Sequence, residues 1–129
     1  MTCPVLVVED EALLAMMVQD LLVENGCEPV MAANGREAFA LIAQARIFDL
    51  AVIDLNIPDG DGATVIRALW NRWPVPVIVS TGYQDLSHEM REALSPFAGP
   101  LEVISKPWSE AVFLDLVRRL LRHAQGRPT

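Results

Sequence analysis

Short apolar runs alternate along the chain with longer segments in which apolar residues recur at helical spacing. The apolar runs predict five strands, at about Val5–Val8, Glu28–Ala32, Leu50–Ile53, Val77–Val79 and Glu102–Ile104. The longer segments predict five helices, at about Ala12–Asn25, Gly35–Ala43, Ala63–Trp70, Asp85–Leu94 and Glu110–Arg122. This alternation is typical of an α/β fold with a parallel sheet and right-handed crossovers.

Residues at several element ends support these assignments. Asn34 is predicted to cap the second helix, with Glu37 three residues later as in a capping box. Ser109 is the predicted cap of the last helix, and Gly26 follows the first helix as a stop. The segment 56–62, rich in Asp, Gly and Pro, is predicted to be a loop with a tight turn, because it lacks the ligand spacing of a calcium loop.

Chemically useful residues follow four of the five predicted strands. Glu9 and Asp10 come after the first strand, and Asp54 comes after the third. Thr81 ends the fourth run, and Lys106 ends the fifth. Because the carboxyl ends of parallel strands meet at one edge of an open sheet, we expect these residues to form one acidic pocket with a hydroxyl and an ammonium group.

This set of residues predicts metal-dependent phosphoryl chemistry. Three carboxylates held together repel one another, so protons or a cation must relieve the repulsion. An oxygen-only site with no Cys or His favours Mg²⁺ over zinc. Asp54 can attack phosphorus as a nucleophile, while the metal, Lys106 and Thr81 or a backbone N–H each neutralise one phosphoryl oxygen. The residues therefore predict phosphorylation at Asp54.

Size and charge narrow the class of protein. The chain has 129 residues and a mass of 14.2 kDa, which predicts a single domain spanning 1–129, with a core at about 3–122 and a frayed tail at 123–129. A net charge of −7 argues against direct nucleic-acid binding. No apolar run approaches about 18 residues and no signal peptide is recognisable, so no membrane contact and a cytoplasmic location are expected. Cys3 and Cys27 are expected to be reduced thiols that lie close together across the sheet.

Four segments together resemble the receiver domain of two-component response regulators, over about Cys3 to Leu121. These segments are Val5–Glu11, Val52–Gly62, Pro76–Gly82 and Ser105–Pro107. The resemblance implies a flavodoxin-like, doubly wound (βα)5 fold with strand order 2-1-3-4-5. It also implies a phosphoprotein that acts in phosphorelay signal transduction. Thr81-Gly82-Tyr83 is similar to a receiver subgroup that usually stands alone.

The resemblance implies a role for each acidic-site residue. Asp54 corresponds to the phosphoacceptor and Asp10 to a direct Mg²⁺ ligand. Glu9 corresponds to a residue that acts mainly through a metal-bound water. Asn56 corresponds to a residue whose backbone carbonyl binds the metal. The metal site implied by the family is therefore made by Glu9, Asp10, Asp54 and Asn56.

The resemblance also implies a switch, from which this chain departs. Thr81 corresponds to the residue that moves toward the phosphoryl group, Lys106 to the one that contacts it, and Pro107 to one that follows a cis bond. Many receivers have Tyr or Phe three residues before the lysine, where this chain has Val103. The usual aromatic flip is therefore not expected, and Tyr83 is the candidate to supply the missing ring.

The outer face of the first predicted helix carries almost no charge. It comprises Ala12, Ala15, Met16, Gln19 and Val23. Either a neighbouring loop covers this face or it docks a partner helix, with Met as an adaptable contact. The resemblance implies that the partner is a histidine kinase or a histidine phosphotransfer protein.

The preferred function is a signalling switch with an unknown downstream protein target. We expect a monomer or weak homodimer, with no enzyme activity beyond Mg²⁺-dependent self-phosphorylation and dephosphorylation of Asp54. A degenerate scaffold receiver would lack an acid or the lysine, and neither is missing. A phosphatase of the haloacid dehalogenase kind would need an acidic proton donor where this chain has Asn56.

Overall fold

The computed structural model describes residues 3–44, 46–82 and 100–125, with the side chains of 123–125 left out of the description. Five strands form the main sheet: β1 Cys3–Val8, β2 Cys27–Ala32, β3 Leu50–Asp54, β6 Val77–Thr81 and β7 Leu101–Ser105. Two short strands form a second ladder: β4 Asn56–Ile57 and β5 Gly60–Asp61. The helices are α1 Ala12–Glu24, α2 Gly35–Ala43, α3 Gly62–Trp70 and α4 Glu110–Gln125.

The main sheet is parallel and has the order β2-β1-β3-β6-β7. This confirms the doubly wound α/β fold, because the five predicted strands lie in the order 2-1-3-4-5. The predicted helix at about Asp85–Leu94 lies outside the described residues. No helix in the described ranges is both long and apolar enough to cross a membrane.

Several predicted strands ended too early. β3 continues through Asp54, which is in register with Ser80, and β6 continues through Thr81, which is in register with Ser105. Backbone pairing does not require an apolar side chain, so the ladder extends past the point where the apolar run ends. The segment 56–62, predicted to be a loop with a tight turn, also contains the short β4–β5 ladder. α4 continues to Gln125, into the predicted frayed tail.

Side chains alternate between the two faces of the sheet and supply two cores. Leu6, Ala51 and Val79 pack with residues of α2 and α3, such as Ile66. The residues next to them along each strand face the other way and pack with residues of α1 and α4. In this second core, the largest fully buried side chain is Phe113 of α4. A strand covered on both faces is apolar almost throughout, which explains the continuous apolar runs.

Cys3 and Cys27 are register partners at the start of β1 and β2, and both are free thiols. Burial, together with the neighbouring Cys27 and Asp49, raises the pKa of the Cys3 thiol to about 12. Cys3 therefore stays protonated at neutral pH. The predicted proximity of the two thiols is confirmed.

Helix capping follows the local sequence. The Asn34 side chain accepts a hydrogen bond from the Glu37 amide at 2.9 Å, and the Glu37 carboxylate accepts one from Ala33 N at 2.9 Å. Ser109 Oγ accepts from Val112 N at 3.1 Å. Gly26 has φ 81° directly after α1, a conformation that glycine adopts without steric cost.

Gly62 is the first residue of α3 and lies against the backbone at the end of β3. A Cβ atom at this position would lie 2.4 Å from the Asp54 carbonyl oxygen and 2.9 Å from Leu55 Cα. Both obstacles are main-chain atoms, so they cannot rotate away as a flexible side chain could. Only glycine lets the helix start this close to Asp54.

We predict that Gly62→Ala lowers the free energy of unfolding by about 1–3 kcal/mol, the usual cost of forcing an extra group into packed structure. Urea unfolding of both proteins measures the difference. Gly82→Ala is the matched control, because a Cβ there meets no atom of the described residues within 4 Å and the change should stay within about 0.5 kcal/mol. Equal effects of the two substitutions would contradict this steric account.

Candidate functional site

Three carboxylates meet at the carboxyl end of the sheet. Glu9 and Asp10 directly follow β1, and Asp54 is the last residue of β3, the strand paired with β1. Each residue offers an oxygen, and these oxygens all lie within 4.8 Å of one another. Glu9 and Asp54 are buried, whereas Asp10 is exposed. The predicted convergence of the acidic residues is therefore present.

The Lys106 ammonium group joins two of these carboxylates. Its Nζ lies 2.8 Å from Asp54 Oδ2 and 3.0 Å from Glu9 Oε1. The main chain holds the lysine in place, since its amide donates to the Thr81 carbonyl at 2.7 Å and a cis peptide bond connects it to Pro107. The predicted pocket of acids and ammonium is thus formed at the carboxyl ends of β1, β3 and β7.

Burial changes the acid–base properties of the site. Burial raises the pKa of Glu9, and the nearby Asp54 adds to the rise. The Glu11 amide and Lys106 oppose it by hydrogen bonding to the Glu9 carboxylate. Burial alone would lower the pKa of Lys106, but its bonds to Asp54 and Glu9 outweigh that effect and raise it. Lys106 is therefore a permanent cation at neutral pH.

The donor set fits a hard divalent cation. Its side-chain ligands are all carboxylate oxygens, the type that Mg²⁺ prefers. One lysine partly balances three carboxylates, which leaves the cluster net negative before a cation binds. Among the described residues, the carboxylates of Glu9, Asp10 and Asp54 thus form a group that can hold Mg²⁺.

Asn56 lies two residues beyond Asp54. Its amide donates to Asp54 Oδ1 at 2.9 Å, so the backbone of the proposed carbonyl ligand is bonded to the proposed phosphoacceptor. Asp54 Oδ2 binds Lys106, so both oxygens of this carboxylate have a protein partner. These bonds hold the orientation of the Asp54 carboxylate.

The predicted switch residues lie on the next two strands. Thr81 is fully buried at the end of β6, next to the end of β3. Val103 lies in β7, in register with Val79, and is only partly buried. Tyr83, the candidate substitute for the missing aromatic residue, lies outside the described residues.

An aromatic contact not anticipated from the sequence lies beside these switch residues. Trp108 stacks on Phe113 with ring centroids 4.6 Å apart, and its indole N–H donates to Ser80 Oγ at 3.2 Å. Ser80 is the neighbour of Thr81 in β6. The sequence signal for this contact was a tryptophan just after Lys106-Pro107, but nothing local identified its partner.

The outer face of α1 is largely uncovered in the described structure. Ala12, Met16 and Gln19 are exposed, with Met16 at 58%, while Ala15 is half-buried. Leu13 is the most exposed large apolar residue on this helix, at 78%, although it was not among the predicted docking residues. The other side of α1 borders a groove of about 340 Å³, lined by Glu11, Leu14, Met17, Lys106, Pro107 and Trp108.

The chain matches the family model described as response regulator receiver domain over residues 5–118. It is 36% identical over 124 residues to a protein-glutamate methylesterase/protein-glutamine glutaminase of Archaeoglobus fulgidus, covering 94% of this chain and 35% of the relative. It is 31% identical over 128 residues to the response regulator protein FleR of Pseudomonas aeruginosa, covering 98% and 26%. The chain thus spans about a quarter to a third of the length of these two relatives.

The fold also matches solved structures. The crystal structure of a CheY-like response regulator receiver domain protein from Methanospirillum hungatei aligns with a TM-score of 0.84 and 25% identity, covering 97% of this chain and 98% of the other. Nearly the whole chain therefore superposes on nearly the whole of a receiver domain.

We predict that Glu9→Gln raises the free energy of unfolding of the metal-free protein near neutral pH. Burial raises the pKa of Glu9, so its ionisation costs the folded state free energy above the folded pKa, and glutamine removes that cost. The gain should vanish as the pH falls below the ordinary carboxyl range, where Glu9 is protonated in both states. Urea unfolding in EDTA at about pH 7 and about pH 3 measures both.

Glu24→Gln removes a carboxylate from an exposed position at the end of α1 and is the matched control. The free energy of unfolding of the Glu24→Gln protein should not change with pH in the way expected for Glu9→Gln. A Glu9→Gln protein that is less stable than the wild type at neutral pH would contradict the burial argument.

Proposed function

Because the chain belongs to the response regulator receiver domain family, we propose that Asp54 accepts a phosphoryl group from a histidine kinase or a histidine phosphotransfer protein in the cytoplasm. The observation that carries the proposal is the Lys106 ammonium, 2.8 Å from Asp54 and 3.0 Å from Glu9 within an acidic cluster that Asp10 completes. Phosphorylation of Asp54 then alters protein contacts in signal transduction.

The chain's own residues account for the acceptor side of the reaction. An oxygen of the Asp54 carboxylate forms a bond to phosphorus as the phosphorus–nitrogen bond of the donor phosphohistidine breaks, which leaves the imidazole as leaving group. Lys106 stays charged and neutralises one phosphoryl oxygen, and the Thr81 hydroxyl takes another. Mg²⁺, held by Glu9, Asp10, Asp54 and the Asn56 carbonyl, supplies the remaining positive charge when bound.

We place the switch at the ends of β6 and β7. When Thr81 moves toward the phosphoryl group, the adjacent Ser80 and its hydrogen bond to Trp108 lie in the path of the change. Val103 leaves no aromatic residue to flip at its position. The aromatic candidates for that part are Tyr83, two residues after Thr81, and Trp108, whose indole N–H is bonded to Ser80 next to Thr81. The output is a contact with a target protein, made by a monomer or weak homodimer.

The phosphodonor docks on α1 in this proposal. Ala12, Met16 and Gln19 are exposed beside Leu13, and the groove next to this helix reaches Lys106. An amphipathic helix of the donor that covers this face would bring its phosphohistidine to the acidic end of the sheet. The apolar side chains on α1 supply buried area, with Met16 as an adaptable contact.

Other functions fit the site less well. A scaffold that acts without phosphorylation gives no reason to keep two buried carboxylates around a lysine, an arrangement that is costly to bury. A haloacid dehalogenase-like phosphatase lacks its acidic proton donor, since Asn56 occupies that place. The esterase activity in the name of one relative is that of a protein about three times as long, and we do not extend it to this chain.

We predict that the protein acquires a labile phosphoryl adduct when it is incubated with acetyl phosphate and Mg²⁺, as detected by intact-mass spectrometry. Asp54→Asn and omission of Mg²⁺ should each abolish the adduct. Lys106→Met should reduce it strongly, because one phosphoryl oxygen then lacks its cation. An adduct that persists in Asp54→Asn would reject Asp54 as the acceptor.

We predict that Met16→Asp slows phosphotransfer from the cognate kinase about tenfold, the effect of losing an apolar anchor at an interface. Labelling by acetyl phosphate should be unchanged, because Met16 does not contact the acidic site. Ile47→Asp is the matched control, since Ile47 is 66% exposed but lies before β3, at the opposite end of the sheet. Equal loss in both assays for Met16→Asp would refute docking at α1.

A further inference from the structure

Asp59 ties the loop after the proposed phosphoacceptor to the start of a distant helix. Its Oδ1 accepts a hydrogen bond from Gly35 N at 2.7 Å, and its Oδ2 accepts one from Arg36 N at 3.0 Å. These two donors are the first amides of α2, which have no partner within the helix. Asp59 and Gly35 are 24 residues apart, so the contact is a tertiary cap. Asn34, the local cap, serves only the Glu37 amide among the side-chain bonds described.

The surroundings of Asp59 allow this close approach. A Cβ atom on Gly35 would lie 3.1 Å from Asp59 Oδ1 and 3.2 Å from Ile57 Cδ1, so the loop packs directly against the glycine. Ile57 itself is buried. Hydrogen bonds from Gly35 and Arg36 lower the pKa of Asp59, which keeps the carboxylate charged at neutral pH.

The same loop carries Asn56, the residue whose carbonyl is the proposed metal ligand. Asn56 N is bonded to Asp54, and Asn56 is paired with Asp61 in the β4–β5 ladder. Asp59 lies between the two strands of that ladder. The α2 end that it binds follows β2, whose Ala32 carbonyl accepts from Glu9 N at 3.0 Å. The Asp59 contact therefore links the loop to the part of the molecule that holds Glu9.

We propose that Asp59 is a positioning residue for the metal site: its two hydrogen bonds to α2 hold the loop so that the backbone of Asn56 is fixed relative to Glu9 and Asp54. This inference rests on the proposed function, because it requires that the acidic site bind Mg²⁺. Residues that orient metal ligands commonly change metal affinity by about tenfold or more when they are replaced.

Asp61 provides a matched control on the same loop. Both carboxylates are exposed, and each caps a helix. Asp61 uses one oxygen, Oδ1, for Thr64 N at 2.8 Å and Thr64 Oγ1 at 3.0 Å, whereas Asp59 uses both of its oxygens. Asparagine therefore preserves the cap at 61 but loses one bond at 59, while each substitution removes one negative charge.

The experiment measures the Mg²⁺ affinity of the full chain by calorimetric titration for the wild type, Asp59→Asn and Asp61→Asn. We expect Asp59→Asn to weaken binding by about tenfold. Asp61→Asn should weaken it by no more than about twofold, because the charge effect of an exposed carboxylate is screened by salt. Amide hydrogen exchange of the metal-free proteins is the second readout. Exchange at Arg36 and Asn56 should become faster in Asp59→Asn only.

Each alternative result rejects either the role of Asp59 or the proposed metal site itself. Equal weakening by the two variants, or weaker binding in Asp59→Asn without faster exchange at Asn56, attributes the effect to lost charge and overturns the role of Asp59. Unchanged affinity in Asp59→Asn overturns it as well. A wild-type protein that does not bind Mg²⁺, or binds it equally well after Asp54→Asn, rejects the proposed site and this inference with it.

Discussion

Electrostatic repulsion among Glu9, Asp10 and Asp54 is the constraint around which this end of the molecule is built. Their oxygens lie within 4.8 Å of one another, and two of the three residues are buried. Lys106 offsets part of this cost, and the backbone bond from Lys106 to Thr81 keeps its position tied to the sheet. The remaining negative charge makes the cluster suited to hold a dication.

Two glycines let neighbouring segments pack closely against Asp54 and the loop that follows it. Gly62 admits α3 to within van der Waals contact of the Asp54 carbonyl, and Gly35 admits Asp59 to the end of α2. Both glycines act through the space they leave, since neither has a positive φ. The loop that carries Asn56 is therefore attached to both α2 and α3, which suits the proposed role of Asn56 as a metal ligand.

The groove beside α1 and the end of β6 lie at the same end of the sheet. The groove beside α1 includes both Lys106 and Trp108, and Trp108 is bonded to Ser80, the neighbour of Thr81. Under the proposed function, a donor docked on α1 that also reached into this groove would touch Trp108, one hydrogen bond away from β6. Under the proposed function, this short connection would couple docking to phosphorylation, and such coupling is reciprocal for binding free energies.

The sequence by itself determined the five strands and the acidic pocket, because apolar periodicity and polar residues at strand ends are local signals that parallel topology brings together. It placed Asp54 and Lys106 correctly although they are 52 residues apart. It did not reveal that Leu13 is exposed, since α1 is apolar on nearly all sides and periodicity cannot then select the buried face. Only the tertiary structure decided that face and the pairing of Asp59 with α2, because both depend on which distant segments pack together.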